Sequence, residues 1–154
     1  MDIDIIIPIY NAFDFVKKCI ETVIEHTDLT QHTLLLVNDK STDERILPLL
    51  NSFIKENQSL NIILIDNKDN QGFVRTVNIG MQYSHHDVVL LNSDTEVTRN
   101  WLSKIQNCAY SKPAVATVTP LSNNATLASV PVFLAENTIP PGLSVEEYAD
   151  IVEK

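Results

Sequence analysis

The sequence has little glycine, few cations, two cysteines and no long apolar run. The loop Asn70–Gly72 has a single glycine, so it is neither a Walker loop nor a dinucleotide-binding fingerprint. Lys and Arg number 11 against 20 Asp and Glu, which gives a net charge of -9. This balance argues against a nucleic-acid-binding surface, because phosphate contacts need clustered cations. A nucleotide is still compatible with it, since one divalent ion or one Arg neutralises a diphosphate locally.

Targeting and membrane-spanning signals are also missing. The N-terminus is acidic where a signal peptide is basic, and the early apolar run Ile5–Tyr10 contains Pro8. That run is far shorter than the roughly 20 residues that span a bilayer. Cys19 and Cys108 lie far apart in apolar helical patterns, which predicts two buried free thiols, with a disulfide left open. We therefore expect a cytoplasmic protein, with a peripheral position at the inner face of a membrane also open.

What is present is an ordinary globular composition of 154 residues with 44% hydrophobic and 20% charged residues, enough for one domain with a sizeable core. Apolar, β-branched segments alternate with segments of helical periodicity. The predicted strands are 4–9, 33–37, 62–65, 88–91 and 115–118, with a helix between each pair. This order predicts an α/β fold with a mainly parallel sheet and helices on both faces.

The periodicity stops after Pro120. Residues 121–143 are rich in Ser, Asn, Thr and Pro, and they predict a long loop. Ser144 and Glu147 form a capping-box pattern that begins a last helix. Its predicted apolar face consists of Val145, Tyr148, Ala149 and Val152. The chain is accordingly divided into an α/β domain at 1–120 and a loop with a C-terminal helix at 121–154.

Polar side chains follow three of the predicted strands. Asn11 follows the first strand, Asn38 and Asp39 follow the second, and residues 92–94 follow the fourth, which is predicted to be buried. Ligands of parallel α/β sheets bind beyond the carboxyl ends of the strands, so these groups are expected at one site. Asn11 is also expected to cap the first helix, with Asp14 near the positive helix end.

Each cluster has two open interpretations. Asp39 can accept a hydrogen bond from an NH-bearing base such as uracil, or it belongs to a turn with Asx and Ser/Thr capping. Asp94 can ligate Mg²⁺ or Mn²⁺, because hard cations prefer carboxylate, amide and water oxygens. Asn92 can then accept a ribose hydroxyl or a metal-bound water, with Glu96 as a second acid nearby. Alternatively, residues 92–94 are only the turn that ends the strand.

A further candidate precedes the third helix. Gly72 allows close approach of the backbone, and a helix N-terminus favours an anion. Arg75, one turn into the helix, can pair with a phosphate, or it is a solvated side chain. The four histidines lack further metal ligands at a suitable spacing, so all of them are expected at the surface.

Together these segments resemble a known family. In chain order they are IIIPIYN at Ile5–Asn11, LLVNDKSTD at Leu35–Asp43, NQGFVRTVNIG at Asn70–Gly80 and LLNSD at Leu90–Asp94. They are similar to the opening strand, the V-D-D-G-S-T-D motif, the N-x-G helix and the D-x-D element of family 2 glycosyltransferases. The resemblance covers roughly residues 3–98 and implies a Rossmann-like GT-A fold.

The resemblance also implies a function. A family 2 enzyme transfers a sugar, with inversion, from a nucleotide-diphosphate donor to a hydroxyl of a glycan or another acceptor. Bacterial polysaccharide or protein-glycan assembly is a plausible setting by family alone. By this resemblance, substrate binding is expected at Pro8, Ile9, Tyr10, Asn11, Asp39, Gly72, Arg75, Asn92 and Ser93, and metal binding at Asp94. The metal, Mn²⁺ or Mg²⁺, stabilises the departing diphosphate, and a carboxylate base activates the acceptor.

Three departures from the family pattern modify these expectations. Asn38 stands where Asp is usual, and Lys40 stands where Gly is usual, with a side chain that faces solvent or reaches the donor. Asn92 begins the D-x-D element, which predicts a weaker metal site. The catalytic base is expected beyond Lys154, so the chain is expected to carry only the start of the acceptor-binding region. The surface against which the rest of that region would pack is expected to be apolar and to favour self-association.

Two alternatives remain beside this hypothesis. A non-catalytic nucleotide-sugar-binding module agrees with Asn38 and Asn92. A nucleotidyltransferase shares a similar layered sheet, but it needs a Gly-rich, basic loop after the first strand, and Tyr10–Asp14 has neither.

Overall fold

The computed structural model describes residues 1–125 and 128–153. The strands are β1 (Ile3–Ile9), β2 (Thr33–Asn38), β3 (Ile62–Asp66) and β4 (Asp87–Leu90). The helices are α1 (Phe13–His26), α2 (Ile46–Glu56), α3 (Phe73–Tyr83), α4 (Trp101–Ala109) and α5 (Val145–Val152). The strands form one parallel sheet in the order β3-β2-β1-β4. The predicted α/β fold with a parallel sheet is confirmed.

The central strands are the most apolar ones. Ile5, Ile6 and Ile7 of β1 are fully buried, as are Leu34–Val37 of β2. A strand that buries both faces is apolar along most of its length, in agreement with the position of the Ile and Leu runs of β1 and β2 in the middle of the sheet. Ile6 is paired with Leu35 on one side and with Leu90 on the other. This register brings the carboxyl ends of the three strands to one edge.

Helix α3 covers one face of the sheet. Ile6, Leu35 and Val37 form a buried cluster on that face, and Ile79 of α3 packs against it. Gly80 lies next to Ile79, and a Cβ at this position would come within 2.6 Å of Ile6 Cγ2. A larger residue at Gly80 would therefore require helix α3 or Ile6 to shift.

The fourth strand differs from its prediction. Strand β4 begins one residue earlier than expected, at Asp87, and it is only half-buried, with Leu90 exposed. The reason is its place at the edge of the sheet, where β1 is its only neighbour among the described strands. Residues 92–94 consequently follow a half-buried edge strand and not the buried strand that was expected.

The predicted fifth strand is wrong. Residues 115–118 have no strand structure and are mostly exposed. Val115, Thr117 and Val118 favour strands locally, but such a preference is effective only where a neighbouring strand pairs with the segment. The described residues of the predicted loop at 121–143 form no helix or extended strand, but they make isolated bridges between Ser122 and Ser129 and between Asn124 and Glu136. Positions 126 and 127 of that loop, and Lys154, lie outside the described residues.

The last helix begins as predicted. The Ser144 hydroxyl accepts a hydrogen bond from the Glu147 amide, and the Glu147 carboxylate accepts one from the Ser144 amide, which completes a capping box. The predicted apolar face is not buried, since no residue of α5 is buried. Instead Arg99 holds the helix through Glu146 and Asp150, at 3.0 and 3.1 Å.

The chain divides into two compact units, Met1–Glu96 and Val97–Lys154. In the described residues, no helix is long and apolar enough to cross a bilayer. Both cysteines are free, and Cys19 is buried as expected, but Cys108 is exposed.

His32 also departs from its predicted surface position. It is buried, and its Nδ1 accepts a hydrogen bond from the Ile3 amide at 3.2 Å. Burial lowers the pKa of His32, in agreement with a neutral ring that accepts this bond.

Candidate donor-binding site

Every residue expected to bind substrate or metal lies in the first unit, at or near the carboxyl edge of the sheet. Pro8 and Ile9 are the last two residues of β1, and the Ile9 side chain belongs to the core. Tyr10, directly after the strand, has a half-exposed ring. Of this segment, Tyr10 is thus the side chain that is available to a ligand.

Asn11 joins two loops and does not cap α1. Its side-chain oxygen accepts hydrogen bonds from the amides of Thr42 and Asp43, at 2.8 and 2.9 Å. The backbone amide of Asn11 donates to the Ser41 hydroxyl at 2.9 Å. The first residue before α1 is Ala12, and no side chain caps that helix. The capping prediction is wrong because the long-range bonds to the β2–α2 loop use the same amide oxygen.

Lys40 has a left-handed backbone, with φ of 57°. The neighbouring bonds fix this conformation: the Asp39 amide donates to Ile9 O at 2.8 Å and the Ser41 amide to Asn38 Oδ1 at 3.2 Å. Glycine adopts this conformation without steric strain, whereas lysine does not. This is the position where the family pattern has Gly, so the turn keeps the shape that the usual glycine allows.

Lys40→Gly is therefore expected to raise the free energy of unfolding by about 0.5–1 kcal/mol, the relief of left-handed strain less the added entropy of the unfolded chain. Urea denaturation measures the change. Lys40→Ala is the matched control, because it removes the ammonium and keeps the strain, and it should leave stability nearly unchanged. Equal effects of the two substitutions would contradict this explanation.

Asp39 is the most heavily bonded carboxylate at this edge. It is 4% exposed and accepts bonds from the amides of Gln71 and Gly72, at 2.7 and 2.8 Å. The Asn67 side chain donates a third bond at 2.9 Å, and Thr76 interacts with it as well. A carboxylate has about four acceptor positions, so little capacity remains for a ligand.

The bonds to Asp39 also determine its charge. Burial opposes ionisation, but the hydrogen bonds from Gln71, Asn67 and Gly72 outweigh it and hold the pKa of Asp39 below its ordinary value. The carboxylate is therefore charged at neutral pH, and it is the anion at the N-terminal end of α3. A phosphate directed to the Gly72 amide would have to displace it.

Asn38 and Asn67 complete this arrangement. The Asn38 amide group donates to Asp66 at 2.7 Å, and Asn67 bridges Asp39 and the Thr76 hydroxyl. Asn67 was not among the predicted site residues. The available signal was its position directly after the third strand, which matches that of Asp39 directly after the second.

Two predicted residues point into solvent. Arg75 is exposed in the first turn of α3, and Asp94 is exposed in the turn after β4. Among residues 1–125 and 128–153, neither has a hydrogen-bond or ion-pair partner. A cation and an anion of this kind are the groups that remain available for a charged ligand.

The turn that carries Asp94 rests on α1. The Thr95 amide donates to the Asn92 carbonyl at 3.1 Å, and the Cys19 thiol donates to the same oxygen at 3.5 Å. Burial, aided by the nearby carboxylates of Asp94 and Glu96, raises the pKa of Cys19 to about 12 despite a bond from the Thr95 amide. The thiol is consequently protonated at neutral pH and able to donate.

The site thus consists of a rigid part and an open part. The rigid part joins the ends of β1, β2 and β3 through Asn11, Asn38, Asp39 and Asn67. The open part consists of the exposed residues Tyr10, Lys40, Arg75, Asn92 and Asp94, with Ser93 half-buried beside them.

Solved structures with a similar fold are sugar transferases. A mannosyltransferase from Pyrobaculum calidifontis, in complex with GDP-Man and Mn²⁺, has a TM-score of 0.66 and 17% identity over 72% of this chain and 32% of its own. TarS of S. aureus, in complex with UDP-GlcNAc, has a TM-score of 0.58 and 18% identity over 69% of this chain and 30% of its own. The fold is that of the GT-A glycosyltransferases.

Sequence comparison agrees. A polypeptide N-acetylgalactosaminyltransferase 11 of Xenopus tropicalis is 31% identical over 104 residues, 66% of this chain and 17% of that protein. The model of the family described as glycosyl transferase family 2 matches residues 4–134. The chain belongs to glycosyltransferase family 2. It spans less than a third of the length of the relatives described here.

Proposed function

We propose that this chain binds the nucleotide-diphosphate sugar of an inverting glycosyltransferase, and that the donor lies across the carboxyl edge of the first unit. The support for this proposal is the exposed Asp94 carboxylate in a fixed turn, at the same edge as Arg75 and the network around Asp39. The nucleoside would lie near Tyr10 and the loop of Asn11, and the diphosphate near Asp94.

The acidic groups suit a divalent cation that is shared with the ligand. The described residues contain no cluster of three His, Cys, Asp or Glu side chains that would hold a metal alone. Asp94 supplies one carboxylate, and Asn92 beside it supplies an amide oxygen. Mg²⁺ and Mn²⁺ commonly complete such a set with substrate phosphates and water. When bound, the ion would stabilise negative charge on the departing diphosphate.

The direct test is titration of the protein with UDP, GDP and dTDP, with and without Mn²⁺, by calorimetry. We expect one nucleotide to bind at least about tenfold more tightly with Mn²⁺, a difference of about 1.4 kcal/mol. Asp94→Ala should abolish this metal dependence. Glu25→Ala, which removes an exposed carboxylate from α1, is the control and should retain it.

Two results would overturn the proposal. One is the failure of all three nucleotides to bind the wild-type protein with or without Mn²⁺. The other is an Asp94→Ala variant that keeps the full metal dependence.

A non-catalytic donor-binding module is the second candidate, because Asn38 and Asn92 stand where the family pattern has acids. An assay with the donor that binds separates the two functions. Release of free sugar, or transfer of the sugar to an acceptor, would show that the protein is catalytic. The acceptor, a cytoplasmic or membrane-peripheral location, self-association and the functional boundary at residue 120 stay predictions.

A further inference from the structure

Cys19 is buried directly beneath the turn that carries Asp94. The thiol lies on α1, and its side chain is fully buried. It donates to the carbonyl of Asn92 at 3.5 Å, and the Thr95 amide donates to the same oxygen at 3.1 Å. The Cys19 side chain therefore bonds to the carbonyl that also closes the four-residue turn Asn92–Thr95.

The turn has few other constraints. The Leu91 amide still donates to Ile6 O at 3.0 Å, so the sheet fixes the chain just before the turn. Within the turn, the Thr95 amide donates to the Asn92 carbonyl and closes the backbone, and the Cys19 thiol donates to the same carbonyl. A fully buried thiol on a packed helix is a rigid support, because α1 is anchored by buried residues on both sides of it, Val16, Ile20 and Val23.

We propose that Cys19 is a positioning residue for the donor-bound metal, which holds the Asn92–Thr95 turn so that the Asp94 carboxylate is directed to the diphosphate. This inference rests on the proposed function for the ligand, but the contact itself can be tested without one. Cysteine suits this place because it fills a small apolar space and still offers a weak donor and a weak acceptor.

Three substitutions separate hydrogen bonding from packing. Cys19→Ser keeps both hydrogen-bonding functions, Cys19→Val fills the space without either of them, and Cys19→Ala leaves the space partly empty. Val23→Ala is the matched control, since it removes buried volume from the same helix one turn away from the sulfur. All are made in a Cys108→Ser background, which removes the exposed thiol from Mn²⁺ and from oxidation.

The first readout is the affinity for a nucleotide with Mn²⁺ divided by its affinity without Mn²⁺. The nucleotide is UDP or whichever of the three the wild-type protein binds. Cys19→Val and Cys19→Ala are both expected to lower this ratio by about five- to tenfold, the effect of losing a hydrogen bond that orients the ligand group. Cys19→Ser should retain most of it, and Val23→Ala should lower the melting temperature with the ratio unchanged.

The second readout needs no ligand. Hydrogen exchange of the Thr95 amide reports opening of the turn, and we expect it to be at least about tenfold faster in Cys19→Val and near wild type in Cys19→Ser and Val23→Ala. If the wild-type protein bound no nucleotide, the proposed function would be refuted. The exchange measurement would still show whether Cys19 holds the Asn92–Thr95 turn.

The inference is overturned if Cys19→Val keeps both the metal dependence and the slow Thr95 exchange. It is equally overturned if the losses follow melting temperature across all four variants, because packing alone would then account for them.

Discussion

Asp39→Asn is expected to lower the free energy of unfolding by about 3 kcal/mol, since a buried charged acceptor would be replaced by a neutral group with one acceptor atom. In either orientation, the new NH₂ group faces the N–H of Gly72 or those of Gln71 and Asn67. Either the Gln71 amide and the buried Asn67 side chain lose their acceptor, or the Gly72 amide is left with Asn70 Oδ1 alone, at 3.2 Å. The loop before α3 should shift, and nucleotide affinity should fall with it.

Urea denaturation at neutral pH measures the loss, and nucleotide titration measures the change at the site. Asp69→Asn is the control, because Asp69 is an exposed carboxylate of the same loop. Its effect should stay within about 0.5 kcal/mol. If Asp39→Asn were as stable as Asp69→Asn, the carboxylate would not be what holds the loop.

The pH dependence gives a second check on Asp39. Its pKa in the folded protein lies below the ordinary value of 3.8, because the hydrogen bonds to its charged form outweigh burial. Its contribution to stability is complete above about pH 4 and is lost as the pH falls through the folded pKa. The stability difference between wild type and Asp39→Asn should therefore be constant from pH 7 to 5 and decrease below pH 4.

The parallel α/β sheet and the polar residues that follow its strands are predicted by local sequence patterns. The Ile and Leu runs of β1 and β2 have no polar face, which predicts buried strands but not their order in the sheet. The Ser144 capping box is likewise a contact between residues three apart, so the sequence predicts it directly.

The errors arise where the outcome depends on partners that are remote in sequence. Val115 to Val118 resemble a strand in composition, but no local pattern shows whether a neighbouring strand is there to pair with them. Asn11 has the chemistry of a helix cap, yet bonds to a loop more than 30 residues away use its oxygen. The partners of Asp39 lie 28–33 residues along the chain, and so its bonding could not be foreseen either.

Lys40 shows a different limit. The family pattern shows that lysine replaces the usual glycine at this position. Only the backbone φ angle shows that this replacement affects the conformation of the turn as well as the side chain at the site. A strained residue persists where the surrounding bonds determine its geometry. The bonds of Asp39, Asn38 and Ser41 do so here, which explains why a turn built for glycine tolerates lysine.

Gly80→Val is expected to destabilise the protein by about 3 kcal/mol or more, because overpacking a closed core forces side chains and backbone to move. The first added carbon would lie 2.6 Å from Ile6 Cγ2 and 3.3 Å from Val37 Cγ2. Ile6 is a β-branched residue in the centre of the sheet, so its Cγ2 cannot move away by changing a distant torsion. Gly80→Ala should be milder, at about 1–2 kcal/mol, since better helix propensity offsets part of the overlap.

A double-mutant cycle identifies the atom that is responsible. Ile6→Leu removes Cγ2 from the contact, whereas Ile6→Val keeps the branch and removes only Cδ1. Gly80→Ala should therefore be less harmful in the Ile6→Leu background than in wild type, with a coupling of about 1 kcal/mol, and equally harmful in the Ile6→Val background. Gln82→Ala, on the exposed side of the same helix, controls for helix propensity. Equal coupling to both Ile6 substitutions would show that the loss comes from general crowding and not from the close approach at Cγ2.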